Sequence, residues 1–108
     1  MKSNALIIVD VQNDFCPGGS YPVPDGDTIL TPINTLIAYA RANNWFIAFS
    51  RDWHPSDMPG SRHCIQGTDG ARFHPQLDIR ESDPVISKGM DVSPKHYSAF
   101  NGDDIHLD

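Results

Sequence analysis

The stretch that most constrains this chain is ALIIVDV, Ala5 to Val11, with Gln12-Asn13-Asp14 directly behind it. A continuous apolar and β-branched run closed by polar residues is the pattern of a strand buried on both faces, and such strands belong to parallel sheets. WFIAFS, Trp45 to Ser50, repeats the signature. Between the two, a Gly/Pro-rich loop leads to Asp27 or Thr28, either of which can cap a helix running to about Asn43. Ile29, Ile33, Leu36, Ile37 and Ala40 are spaced to share one face of that helix. Pro32 fits if it falls in the first turn, where a missing amide hydrogen is tolerated. Strand, helix and strand make a βαβ unit with a right-handed crossover. PVISKGM, Pro84 to Met90, reads as a third, weaker strand. The fold class is therefore α/β with a parallel sheet.

Open α/β sheets bind their ligands at the carboxyl ends of the strands. Asp10 lies at the end of the first run, Asp52 just past the second and Lys88 at the end of the third. Charged residues also end strands simply because loops are wet. That plain explanation suits Asp10 least, since a carboxylate inside LIIVDVQND interrupts a buried run and costs several kcal/mol if left unpaired. Asp10 needs a cationic partner, and Lys88 is the candidate. A buried acid beside an amine is also a setting for proton transfer.

At 108 residues the chain is at most one domain with a small core. Eight Lys+Arg against fourteen Asp+Glu give a formal charge of -6. That balance argues against nucleic acid or an anionic membrane as partner, because both demand a basic surface. A small ligand or a metal ion suits it better. The N-terminal apolar run, cut by Asp10, is shorter than a signal-peptide core or a membrane span, so a cytoplasmic location is expected. Two cysteines, Cys16 and Cys64, in a chain without an export signal are expected to be reduced.

SRDWHPSDMPGSRHC, Ser50 to Cys64, brings an aspartate and two histidines into one short segment. Asp52-x-His54 in an extended backbone points both side chains the same way, and His63 can return from the loop to make three ligands. Three protein ligands leave positions open for water or substrate, as in catalytic metal sites. Spacing alone leaves an acid/base site or a polar loop open as well. Asp57 in SDMPGS reads as a turn residue ahead of the alternative, a further ligand held directly or through water. His74 reads as a structural hydrogen-bonder, and His96 and His106 as solvated. Cys64 beside His63 invites a thiol–imidazole reading. Sequence neighbours rarely present their side chains to one another, so both cysteines are read as unreactive. Phe15 is either core or an aromatic wall of the crevice.

Taken together, IIVDVQNDFCPGGS, SRDWHP, HCIQGTDGARFHPQL, SKGMD and YSAF resemble the nicotinamidases, also called pyrazinamidases, of the isochorismatase-like cysteine hydrolases. The likeness runs from about Ala5 to Phe100. It implies a three-layer, Rossmann-like α/β fold with a parallel sheet of about six strands, and hydrolysis of nicotinamide to nicotinate and ammonia in NAD salvage. It further implies that Asp10 and Lys88 belong to a Cys-Asp-Lys triad, that Asp52, His54 and His63 bind a metal facing the pyridine nitrogen, and that Phe15 packs on the substrate ring. The donor set suits zinc, iron and manganese, with zinc the first expectation. Two departures are visible. The loop between His54 and His63 is shorter than is usual in the family, and neither Cys16 nor Cys64 matches the family's nucleophile. The chain thus reads as the N-terminal half to two thirds of a single hydrolase domain, inactive alone, and either homo-oligomeric or associated with the missing C-terminal segment. Two other readings stand beside it: a relative acting on another small substrate, and a non-catalytic metal-binding fragment.

Overall fold

The structure is a computed structural model that describes residues 4–57 and 62–90. His96, His106 and the YSAF motif lie outside the described residues. The elements are strand β1 (Ala5–Val9), helix α1 (Leu30–Ala42), strand β2 (Phe46–Asp52) and strand β3 (Val85–Lys88), with 3-10 turns at Asn13–Phe15, Gly26–Ile29 and Asp69–Ala71. The sheet order is β1-β2-β3, and both pairings are parallel. Val9 pairs with Ser50, and Asp52 pairs with Lys88. Among the described residues no helix is long and apolar enough to cross a membrane.

The two sheet faces are covered unequally. On the α1 side Ile8, Val11, Leu30, Ile37, Ala40, Ile47, Phe49 and Leu77 form the main core. A second, smaller cluster joins Ala48 and Ile86 with the partly buried Ile7 and Phe46. The expectation that β1 is buried on both faces is therefore corrected: only Ile8 of its five residues is buried, and Val9 is 61% exposed. The strand lies at an edge of the sheet among the described residues, so nothing described closes its outer flank.

The helix also departs from its reading at the N-terminal end. No side chain caps it. The Thr28 hydroxyl donates instead to the carbonyl of Asp25, and the backbone N–H of Leu30 donates to Asp27 within the 3-10 turn, which meets donors that a cap would otherwise satisfy. Pro32 sits in the first turn as expected. Ile37 and Ala40 are buried and Ile33 packs against the core, but Ile29 and Leu36 are about half exposed; Leu30 takes their place inside. A stripe set by 3.6-residue spacing is wider than one edge strand can cover.

Candidate functional site

The strand ends converge. β1 stops pairing after Val9, and Asp10 turns out of it in the left-handed region with φ 57. That conformation costs a non-glycine residue of the order of 1–3 kcal/mol and is found where the surroundings over-determine it. Here the Asp10 N–H still donates to Ser50, and both carboxylate oxygens are engaged: Oδ1 accepts from the Ser50 hydroxyl at 2.9 Å, and Oδ2 from Lys88 Nζ at 2.7 Å. The same ammonium donates to Asp52 Oδ1 at 2.7 Å. Asp52 is the last residue of β2 rather than just past it. Lys88 thus bridges two acids, with all three side chains less than one-fifth exposed. Burial alone would lower the Lys88 pKa, but hydrogen bonds from its ammonium to Asp10 and Asp52 outweigh it and raise the value above normal.

Asp52 faces the other way as well. One ligand atom each from Asp52, His54 and His63 lie within 4.8 Å of one another, the only such group among the described residues. Donors on a single tetrahedral ion with ~2.1 Å bonds stand roughly 3.4 Å apart, so a closure on the order of 1 Å completes the shell. The histidines are set up for it. The carbonyl of His63 can only accept, so the His54 Nδ1 at 2.8 Å carries the proton and leaves Nε2 as the free lone pair. His63 Nε2 points at Asp52 Oδ2 across 3.9 Å. The residues present therefore fit a divalent cation. Asp57, exposed in a turn, is not in the group, as its turn reading expected.

Neighbours hold these groups. Asp14, buried, accepts the N–H of Cys64 at 2.7 Å and that of Ser20 at 3.0 Å. Burial pushes its carboxyl up, yet those two donors prevail and keep it below the usual carboxylate range. The Gln12 carboxamide spans to Asp52 and Ala71. Phe15 and Tyr21 stand edge-on and tilted against the His63 ring at 5.5 and 4.9 Å. Phe15 and Asp10 also line a cavity of about 500 Å³ with Val9, Val23 and Ile29. Gly89, φ 73, lets the backbone pass where a Cβ would come within 2.8 Å of His54 Nε2.

Both cysteines are buried. Burial, reinforced by the charges of Asp52, Asp14 and Asp10, pushes the Cys64 thiol up to about 12. Cys16 is raised too, by burial and by Asp27. Neither is a thiolate at neutral pH, in keeping with their reading as unreactive. His74 Nδ1 accepts the Gln76 N–H, a structural role as read. Sequence reasoning overlooked Gln12, Asp14, Tyr21 and Gly89. Only Asp14, a second acid directly behind an apolar run, carried a signal that could have drawn notice.

A parallel α/β sheet with acid, amine and metal-type ligands at its carboxyl rim defines an α/β protein with a strand-end site, and residues 4–107 match the isochorismatase domain, so the chain belongs to that family. Among curated relatives it is 40% identical over 111 residues to the nicotinamidase/pyrazinamidase of Mycobacterium tuberculosis and 33% identical over 123 residues to the nicotinamidase of Escherichia coli. Each alignment covers 93% of this chain and 58% of the relative. The crystal structure of Pyrococcus horikoshii pyrazinamidase in complex with zinc superposes with a TM-score of 0.80 at 40% identity, covering 90% of this chain and 57% of that one. The fold is that of the isochorismatase-like hydrolases, over little more than half the length of those relatives.

Proposed function

We propose that these residues form the acid, amine and metal side of a nicotinamidase/pyrazinamidase, an amidase that hydrolyses nicotinamide to nicotinate and ammonia. The observation that carries this reading is the Lys88 ammonium, bound at 2.7 Å to both Asp10 and Asp52, beside the converging ligand atoms of Asp52, His54 and His63. Relatives named nicotinamidase at 33–40% identity support the substrate, and the zinc in the Pyrococcus pyrazinamidase supports zinc as the ion.

In this reading the attacking thiol comes from sequence outside these 108 residues, since neither Cys16 nor Cys64 ionises in the neutral range. The Asp10 carboxylate takes the thiol proton. The thiolate attacks the carboxamide carbon, the C–N bond breaks, and the proton held by Asp10 leaves with ammonia. Water then cleaves the thioester to release nicotinate and restore the thiol. Lys88, bound to Asp10 at 2.7 Å, balances the charge that develops during the transfer. Asp52, His54 and His63 would hold the divalent ion, which when bound would supply a template that orients the substrate ring. Phe15 walls the ring.

The test is an ammonia-release assay with nicotinamide and pyrazinamide. The 108-residue chain is expected to bind zinc and to show no turnover, and a protein that includes the nucleophile-bearing remainder is expected to turn over both. In that longer protein Asp10→Asn is expected to lower kcat about 10²–10⁴-fold. Turnover by the short chain, or full activity in the variant, overturns the assignment.

A further inference from the structure

β2 keeps its partner on the β1 side by an unusual substitution. Alternate residues of β2 serve alternate sides of the sheet: Ser50 accepts the Asp10 N–H on the β1 side, and Trp53 donates to the Lys88 carbonyl on the β3 side. The next residue due to face β1 is Asp52, but β1 has already turned away at Asp10. Asp52 would be left with a backbone N–H and C=O unpaired beside the buried strand end, which costs about 1–3 kcal/mol for each group.

The side chain of Gln12 takes the place of the missing strand. Its Oε1 accepts the Asp52 N–H at 2.9 Å, and its Nε2 donates to the Asp52 carbonyl at 2.8 Å. The second Nε2 hydrogen goes to the Ala71 carbonyl at 2.9 Å. Gln12 is fully buried at 0% exposure. Both carbonyls can only accept, so the orientation of the amide is fixed by its partners. One carboxamide therefore reproduces a rung of the parallel ladder and fastens it to the 3-10 turn at Asp69–Ala71.

We infer that Gln12 is a positioning residue for the metal group: by clamping the peptide of Asp52 it fixes how that carboxylate divides between Lys88 and the two imidazoles. The inference rests on the metal reading given above. A glutamine that merely fills buried space would stabilise the fold without affecting the site. Asn34 supplies the comparison, because its carboxamide brackets another segment in the same manner, donating to Gln76 at 2.7 Å and accepting from Asp78 at 2.8 Å, in a segment that contributes nothing to the Asp52, His54 and His63 group.

The experiment measures zinc affinity by chelator competition and the visible absorption bands of bound cobalt(II), in the unaltered protein, in Gln12→Met and in Asn34→Ala, with thermal unfolding recorded for each. Gln12→Met keeps the length of the side chain and deletes all three hydrogen bonds. Gln12→Asn, which draws the amide back by one methylene group, is measured beside it in case the methionine variant does not fold. Loss of an outer partner of a ligand weakens binding about 10–100-fold. A fall of that size with shifted cobalt bands is expected for the Gln12 variants, and unchanged affinity and bands for Asn34→Ala. If the unaltered protein binds no zinc, the metal reading fails and this inference with it. If it binds and the Gln12 variants match it, the metal site stands and the positioning role is overturned. An equal loss in Asn34→Ala assigns the effect to general stability and overturns it as well.

Discussion

Lys88 does two jobs with one charge, and its removal should show both. Its ammonium is the shared donor to Asp10 and Asp52, with side-chain exposures of 11%, 18% and 17%. Lys88→Met leaves two half-buried acids without their cation, and breaking a buried pair in this way costs about 3–5 kcal/mol. The expected outcome is a corresponding fall in the urea midpoint at pH 7; a loss below about 1 kcal/mol, the scale of an exposed ion pair, would mean that water rather than Lys88 balances these carboxylates. Gly89 makes a second prediction at this scale. Gly89→Ala places a Cβ 2.8 Å from His54 Nε2 on a backbone with φ 73, so stability should fall by about 1–2 kcal/mol and zinc affinity with it, read by thermal unfolding and chelator competition. The contrast between these neighbours explains what the sequence discloses. Lys88, Asp10 and the Asp52/His54/His63 set are legible because ionisable groups at the ends of apolar runs need a reason to be there. Gly89 and Gln12 are neutral, and their importance lies in partners 35 and 40 positions away, which no local pattern reveals.

Among elements, α1 shows where periodicity informs and where it overreaches. Its span and the first-turn Pro32 follow from the pattern, and so does the parallel pairing of the strands it joins. Its cap and part of its buried face do not, because the 3-10 turn before it and the missing cover beside β1 are tertiary facts. The far end of the helix carries an ion pair that spacing gave no hint of. Arg41 Nη1 and Nη2 grip the two Asp83 oxygens at 3.0 and 2.7 Å, and Nη2 also donates to the Asp78 carbonyl. That guanidinium holds the Asp83 carboxyl below its ordinary 3.8 despite the opposing effect of burial. A carboxyl whose pKa is depressed by folding contributes stability that is complete above the unfolded value and is lost as the pH falls through the lower, folded one. Asp83→Asn should therefore destabilise by about 1–3 kcal/mol at pH 7, and its gap from the unaltered protein should narrow below pH 3.8. Urea denaturation at several pH values checks this, and a gap that stays constant into acid would show that charge is not what Asp83 supplies.

At the scale of the whole molecule the described fold is a three-stranded sheet whose main cover is one helix on one face, and its weak point is the outer flank of β1. Beside that flank a groove of about 260 Å³ is lined by Leu6, Ile7, Ile8, Val9, Ile33 and Leu36, and Val9, Leu36 and Ile29 are 61%, 52% and 47% exposed. An open strand edge flanked by apolar side chains is a template for further pairing. The relatives this chain matches are longer than it by a margin that leaves 42% of their length unaligned, which is ample for strands to occupy that flank. A 12.0 kDa chain presenting this edge should associate, so sedimentation velocity is expected to show species heavier than the monomer that grow with concentration. Leu36→Lys places a charge in the groove away from the Lys88 site, and should return the distribution toward monomer while leaving zinc affinity unchanged. A monodisperse monomer with cooperative melting at every concentration would favour instead a self-sufficient metal-binding module, because then the groove beside β1 would be a surface the fold tolerates rather than one waiting for the rest of a sheet.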